Sequence, residues 1–273
     1  MFRKLFISSV TSVFLVGILP ATSAMSSGGD PIGSGKNTCV PGPSAKCGDV
    51  VHKWKFEHHG DLRGANFSKA KLHGADLRGA RLDKANFRGA VLRHAHFHDA
   101  SLVGADFSKA IRPKKLVKLC AVDCEAVGAD LTNAYLENVD LTGANLTDAN
   151  LTGAWLTNSD LTGANLTNTN LTNAHPRGTY LTNANLTNAN LTNADLLQAD
   201  LTKAILTKAN FTNTNLTFVN LAGANLTNAN LTNANLLAAD LTGANLTGAN
   251  LTGANLTGAN LTGAIIPDGT IRP

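Results

Sequence analysis

The chain has few large side chains and no arrangement of residues that is typical of a catalytic site. Only 5% of its 273 residues are aromatic and only 2 are methionine, which excludes a core built around large rings and requires many small, similar pieces. The sequence contains no Ser/His/Asp arrangement, no phosphate-binding glycine loop and no pair of carboxylates suited to acid–base chemistry. We therefore predict a protein that is not an enzyme, with no cofactor and no metal.

Long apolar runs are also scarce, and the only one lies at the N-terminus. Arg3 and Lys4 precede a mostly apolar stretch over residues 5–19, and a segment of small residues then ends at Ala24. This order is typical of a signal peptide over residues 1–24 that is cleaved after Ala24. An uncleaved anchor is the alternative, but the run is short for a bilayer. We expect an exported protein, periplasmic or extracellular, with no membrane span after cleavage and no lipid-bearing cysteine at the cleavage point.

Cysteine is rare too, with four residues at Cys39, Cys47, Cys120 and Cys124. In an oxidising compartment an even number of cysteines favours disulfides. All three pairings remain open, and the two local pairs are the first expectation because they close short loops. Zinc is the alternative, since the spacing of Cys120 and Cys124 suits a ligand pair, but the histidines of residues 52–59 are far away in the sequence.

One five-residue unit supplies most of what the sequence does contain. Residues 241–264 read LTGAN four times and then LTGA, and looser copies fill residues 60–110 and 129–264. Ala and Leu two positions apart in an extended chain point to the same side, and the Gly or Asn that follows accepts a bend. Each unit has one Leu and one Ala to bury, so it must stack on its neighbours. The pattern predicts a solenoid whose function lies in its exceptions.

Four features interrupt or flank the two repeat blocks. Residues 25–59 are predicted to form a flexible N-terminus and an N-terminal cap, and residues 265–273 a C-terminal cap. Residues 111–128 form an insertion that shifts the phase of the repeat and is predicted to project as a loop or short helix. Pro176 occupies a position that normally holds Leu, which predicts a local distortion and no domain boundary.

The unit resembles that of the pentapeptide-repeat proteins, A-(D/N)-L-x-x. Full matches stand at residues 75–79, 144–148 and 244–248. The resemblance implies an all-β fold, a right-handed quadrilateral β-helix with four pentapeptides per coil. The 10 units of the first block and the 27 of the second would then form two and a half and nearly seven coils. It also implies a scaffold or interaction role, and some members of the family resemble DNA and bind topoisomerases.

If a coil has four units, residues 20 apart lie above one another in columns. One column contains Tyr135, Trp155 and His175, with Arg177 and Tyr180 close to its end. Three exposed rings on consecutive coils would form a continuous platform on which a peptide or sugar could lie. We predict these five residues as a binding site, and a surface covered by the insertion is the alternative.

The predicted function is an exported, non-enzymatic scaffold that binds a protein, with no nucleic acid as partner and a homodimer left open. One alternative is adsorption to ice or glycans through the Asn and Thr that flank each Leu. Another is DNA mimicry toward a topoisomerase through a column that contains Asp140, Asp160, Asp200 and Asp240. This column is sparse in charge, and export would separate the protein from topoisomerases.

Overall fold

The computed structural model describes residues 43–47, 60–93, 95–97, 99–108 and 128–273. Within these ranges each unit contributes a single residue to an isolated parallel β-bridge, and most bridge partners lie 20 residues apart. The described ranges contain neither a helix nor a longer strand, and therefore no helix that could cross a membrane. The predicted fold is confirmed: the chain is an all-β, right-handed quadrilateral β-helix with four units per coil.

The four sides of the coil are named here by the bridge residues that stack along them. Wall 1 carries Lys71, Val91, Asp130, Asn150, Asn170, Asn190, Asn210, Asn230 and Asn250; wall 2 carries Asp76, His96, Tyr135, Trp155, His175, Asp195, Asn215, Asn235 and Asn255; wall 3 carries Asp61, Arg81, Ser101, Asp140, Asp160, Tyr180, Asp200, Asn220, Asp240 and Asn260; wall 4 carries Lys46, Asn66, Asn86, Asp106, Asn145, Asn165, Asn185, Ile205, Asn225, Asn245 and Ile265.

Backbone hydrogen bonds repeat from coil to coil. The amide of Leu146 donates to the carbonyl of Asn165 (2.7 Å), and the amide of Asn165 donates to the carbonyl of Ala144 (2.9 Å). Within a unit, the amide of Ala149 donates to the carbonyl of Leu146 (2.9 Å) and closes the turn at the corner. Because nearly every unit repeats these bonds, the buried backbone is satisfied without any long strand.

The core consists of stacked Leu and Ala side chains, almost all of them buried. In the first block Phe67, Phe87 and Phe107 replace Leu on wall 4 and stack with ring centroids 5.0 and 4.9 Å apart. Where Thr replaces Ala, its buried hydroxyl donates to a backbone carbonyl of the preceding coil, as Thr169 does to Leu146 (2.9 Å). These hydroxyls are tolerated because each has a hydrogen-bond partner.

The insertion does not interrupt the solenoid. Its ends are Phe107–Ser108 and Gly128–Ala129, and the amide of Ala129 donates to the carbonyl of Phe107 (2.9 Å) in the same turn bond that other units make. Bridges across this point, such as that from Asp106 to Asn145, join residues 39 apart because the additional residues leave and return at one corner. A Cβ at Gly128 would lie 2.2 Å from the Asp148 carbonyl oxygen, so only glycine fits the return. The loop or helix predicted between these ends lies outside the described residues.

At the N-terminal end, residues 43–47 add a unit below the first block. Lys46 bridges Asn66, and Cys47 takes the position of the central Leu, fully buried. Cys47 is disulfide-bonded. The other three cysteines, the predicted signal peptide and most of residues 25–59 lie outside the described residues, so the disulfide connectivity stays a prediction.

At the C-terminal end, residues 265–272 fold back on themselves through an antiparallel bridge between Ile265 and Ile271. They cover wall 4, where the amide of Leu246 donates to the carbonyl of Ile265 (2.8 Å). The last leucines of the other walls, Leu251, Leu256 and Leu261, are only partly buried. The tail therefore covers less of the last coil than the sequence pattern suggests.

This difference in burial predicts how much a truncated Leu costs. Leu196 is fully buried whereas Leu261 is half-exposed, so Leu196→Ala should lower the free energy of unfolding by about 2–5 kcal/mol and Leu261→Ala by clearly less. Thermal or urea unfolding of the two variants measures the difference. Equal losses would contradict the burial that the fold assigns to the two ends.

Candidate interaction surface on wall 2

The departures from the repeat gather on one wall. In the second block the residue after the central Leu is Thr in every unit of walls 1 and 4. The exceptions are Glu137, Arg177, Leu197 and Leu237 on wall 2, and Ala222 on wall 3. Thr at the position after the Leu is sufficient for the fold in every unit of walls 1 and 4, so the fold does not require the residues that replace it on wall 2.

Four rings stack along wall 2, in two pairs. His96 and Tyr135 lie with ring centroids 4.7 Å apart and an interplanar angle of 2°, and Trp155 and His175 lie 4.2 Å apart at 25°. Tyr135 is 36% exposed and Trp155 42% exposed. Within each pair the ring faces turn toward each other, so the surface presents mainly ring edges. Each of these rings therefore has one face against its partner ring, and the binding site predicted from the sequence stays a prediction.

Pro176 breaks one hydrogen bond in this wall. It is buried in the Leu position, and having no amide hydrogen it cannot donate to the Asp195 carbonyl as a Leu would. The neighbouring bonds survive: the amide of Asp195 donates to the carbonyl of Ala174 (2.9 Å) and that of Gly178 to Leu197 (2.9 Å). The predicted local distortion without a boundary is confirmed, and it lies directly after the ring of His175.

The corner between walls 2 and 3 carries a stripe of apolar side chains. We call Leu197, Phe218, Leu237 and Ala238 the corner stripe; they stand at the turn positions of three consecutive coils, and Phe218 is 55% exposed. The amide of Phe218 donates to the carbonyl of Leu237 (2.9 Å), which holds the two coils in register. The stripe continues the exposed surface of Trp155 along the rod.

Two residues of the corner stripe adopt backbone angles that the repeat normally gives to Gly or Asn. Phe218 has φ = 55° and Ala238 has φ = 52°. A side chain with a Cβ costs roughly 1 kcal/mol in this left-handed region, and a bulky residue there is uncommon. Because Phe218 is more than half exposed, core packing does not offset this cost.

Wall 1 forms a contrasting face in which the side chains bond to one another. The amide of Asn170 donates to the Thr152 hydroxyl (3.0 Å), and the Thr172 hydroxyl donates to the Asn170 side-chain oxygen (2.7 Å). The same pattern links the next coils through Asn190 and Asn210. These amide ladders occupy much of the hydrogen-bonding capacity of the wall and stabilise the stacking of the coils.

Two arginines of the first block pair with an Asp of their own unit, whereas Arg88 and Arg93 pair with Asp106 and Asp130 of the next coil. Arg63 donates two hydrogen bonds to Asp61 (2.8 and 2.7 Å), which lowers the pKa of that carboxyl to about 2. Arg78 does the same for Asp76 at the base of wall 2 and lowers its pKa. At the other end of the ring column, Arg177 lies 3.4 Å from Asp195. Ion pairs of Asp with Arg thus flank the four rings on both sides.

Four carboxylates of wall 3 have no such partner. Asp140, Asp160, Asp200 and Asp240 accept hydrogen bonds from the backbone amides of the threonines two residues later, at 2.9–3.0 Å. Among the described residues, no Lys or Arg lies within salt-bridge distance of any of them. Wall 3 therefore presents carboxylates without a cationic partner, interrupted by Tyr180 and Asn220, and two of them, Asp200 and Asp240, lie beside the corner stripe.

Metal binding has little support in the part of the chain that the structure describes. No cluster of three or more His, Cys, Asp or Glu side chains suited to a metal ion occurs there. His96 is stacked on Tyr135.

The structure places four of the five predicted site residues on wall 2: Tyr135, Trp155, His175 and Arg177. Tyr180, 54% exposed, lies across the corner on wall 3, between Asp160 and Asp200. Sequence analysis missed the corner stripe. The available signal was the residue type at the two turn positions, which stands out once the units are sorted by wall.

A rod of stacked five-residue units defines the class of protein as a β-solenoid. The family profile described as pentapeptide repeats matches in 8 copies, at residues 59–83, 71–108, 127–163, 159–196, 194–233 and 229–266. The chain belongs to the pentapeptide-repeat family. No curated protein sequence matches it.

Solved structures of the family are similar to the chain. HetL from the cyanobacterium Nostoc, a pentapeptide-repeat protein involved in heterocyst differentiation regulation, is 34% identical over 82% of this chain and 90% of its own, with a TM-score of 0.55. A thylakoid-lumen protein of Arabidopsis thaliana is 33% identical over 42% of this chain and 66% of its own, with a TM-score of 0.34. The plasmid-mediated fluoroquinolone resistance protein QnrB1 is 14% identical over 79% and 81%, with a TM-score of 0.39.

Restoring the repeat at Pro176 should stabilise the solenoid. Pro176 and Thr179 line a small apolar cavity with leucines of the same coils, and Leu at position 176 would both fill it and donate to the Asp195 carbonyl. We expect Pro176→Leu to raise the free energy of unfolding by about 1 kcal/mol, measured by urea unfolding. A decrease would mean that the distortion is an adapted part of the wall.

Proposed function

We propose that the protein is a non-enzymatic scaffold that binds a partner protein through wall 2 and the corner stripe. The observation that carries this proposal is the concentration of departures from the repeat on one face, four of them at the position after the Leu. Aromatic, Arg and apolar residues are those on which protein interfaces depend, and here they lie together on an exposed surface. Backbone strain at an exposed Phe218 is the kind of cost that function explains.

The alternatives have less support. The Asn and Thr side chains of wall 1 bond to one another, which favours a stabilising role over adsorption to ice or glycans. The carboxylates of wall 3 are interrupted by Tyr180 and Asn220, which weakens a likeness to the phosphates of DNA. The regulatory role of HetL, to which the chain is similar, agrees with a protein that acts by binding.

A capture experiment tests the wall-2 surface. The double variant Trp155→Asn/Phe218→Asn restores the residues that the repeat itself uses, so the fold should be retained while the surface is lost. We expect partner proteins captured from envelope extracts by the natural chain, and quantified by mass spectrometry, to fall by about tenfold or more with this variant.

The matched control is Ile205→Asn, which removes a 43% exposed apolar side chain from wall 4. It should leave the captured proteins unchanged, and the melting temperatures of all three proteins should confirm that each is folded. Equal capture by the natural chain and the double variant would exclude wall 2 as the binding surface.

We also propose that the chain is exported and cleaved after Ala24, with its cysteines in the two local disulfides. The order of charged, apolar and small residues over 1–24 supports export, and the buried, disulfide-bonded Cys47 supports an oxidising compartment. A homodimer stays a prediction, supported by the partly buried leucines of the last coil.

Export predicts the N-terminus of the mature protein. When the chain is expressed in a bacterial host, N-terminal sequencing of the purified protein should begin at Met25, and Arg3→Glu/Lys4→Glu should reduce processing. Recovery of the unprocessed chain in the cytoplasmic fraction alone would contradict both export and cleavage.

A further inference from the structure

The apolar surface on wall 2 is linear and follows the axis of the rod. Trp155, Leu197, Phe218 and Leu237 lie on four coils within a stretch of five. With a coil spacing of about 4.8 Å, they span roughly 19 Å along the axis. A partner that contacts all of them must be elongated in the same direction.

The repeat length of this surface suits an α-helix. A helix laid along the rod presents one apolar position per turn, every 5.4 Å or so, and drifts by only about 2 Å against the coils over this span. An extended strand laid in the same direction presents same-side residues at intervals of about 6.7 Å and falls out of step within two coils.

The charge beside the corner stripe indicates which residue types such a helix carries along its edge. Asp200 and Asp240 lie two or three residues after the stripe residues of their own coils, and Asp160 stands in line with them on wall 3. None of these carboxylates has a Lys or Arg partner among the described residues. The part of the chain after residue 128 has 9 acidic residues against 4 basic ones. The complementary partner carries Lys or Arg along one edge of its apolar face.

We propose that the corner between walls 2 and 3 binds a basic amphipathic helix of a partner protein, aligned with the rod axis. This inference rests on the proposed function and adds the chemistry and orientation of the partner. The apolar face of the helix covers the corner stripe and Trp155, and its basic edge lies over the carboxylates of wall 3. Such a mode places position i, then positions i+3 and i+4 together, and then position i+7 of the helix on three successive coils.

A designed peptide tests the proposal with the full mature chain. The probe is a fluorescein-labelled helix of about 18 residues with Leu at the i, i+3, i+4 and i+7 positions and Lys along both edges. The comparison peptide has Glu in place of each Lys. Fluorescence anisotropy should show binding of the Lys peptide and at least tenfold weaker binding of the Glu peptide.

Two sets of variants locate the site. Leu197→Thr/Phe218→Asn/Leu237→Thr restores the repeat at the corner stripe and should weaken binding of the Lys peptide by about tenfold or more, whereas Ile205→Asn on wall 4 should not change it. Asp200→Asn/Asp240→Asn should weaken it several-fold, whereas Asp148→Asn, at the corner after wall 4, should not.

The outcomes separate this inference from the proposed function. The proposal of a helical partner is wrong if the Lys peptide fails to bind, binds no better than the Glu peptide, or binds the triple variant as tightly as the natural chain. The proposal is also wrong if anionic phospholipid vesicles bind the natural chain and not the triple variant, because the surface would then be a membrane-binding site. If one of these results appears while partner capture still depends on Trp155 and Phe218, the wall-2 scaffold stands and only its helical partner fails.

Discussion

The whole structure depends on one constraint, the 20-residue register between coils. Each unit buries only one Leu and one small residue, so it gains nothing in isolation and is stable only when its neighbours lie above and below it. Bonds such as that from the Leu146 amide to the Asn165 carbonyl repeat this register along the rod. Because the register is fixed by backbone bonds and buried side chains, the outward-facing residues are free to vary. Residues 20 apart in the sequence therefore lie in a line on the surface.

The four walls differ in how far their outward-facing residues depart from the repeat. Walls 1 and 4 keep Asn and Thr in almost every unit, and on wall 1 the amides and hydroxyls form ladders that add to the stability of stacking. Wall 2 keeps such a ladder from Asp195 through Asn215 to Asn235 but carries rings in its earlier coils. It also lacks one hydrogen bond at Pro176, and Phe218 at its corner with wall 3 has a positive φ. Each change costs stability, and the concentration of such costs on one face supports the proposed interaction surface.

The sequence predicted the fold well because its period, its Leu and Ala positions and its left-handed turn residues all require the same coil. It also placed Tyr135, Trp155 and His175 in one column, since the register alone decides that. The sequence did not predict how the rings are oriented, because side-chain torsions and the contact between neighbouring rings set the 2° angle between His96 and Tyr135. The corner stripe was missed because a Leu after a Leu resembles ordinary variation until the units are sorted by wall. Residues 43–47 were predicted as part of the flexible N-terminus because their unit has Cys in place of Leu.

A solenoid of identical coils offers a partner many equivalent binding positions, and departures from the repeat can distinguish these positions. Identical coils present the same surface every 4.8 Å or so, and a partner bound to one position would bind equally well one coil further along. The LTGAN run of residues 241–264 forms little more than one coil and gives every wall the same unit, so it does not distinguish one wall from another. Wall 2 differs from coil to coil: the stack of Trp155 on His175 and the ion pair of Arg177 with Asp195 each join two consecutive coils once, and Phe218 stands at its corner on one further coil. Under the proposed function their spacing along the axis would set where a partner lies on the rod, and the regular coils on both sides maintain that spacing.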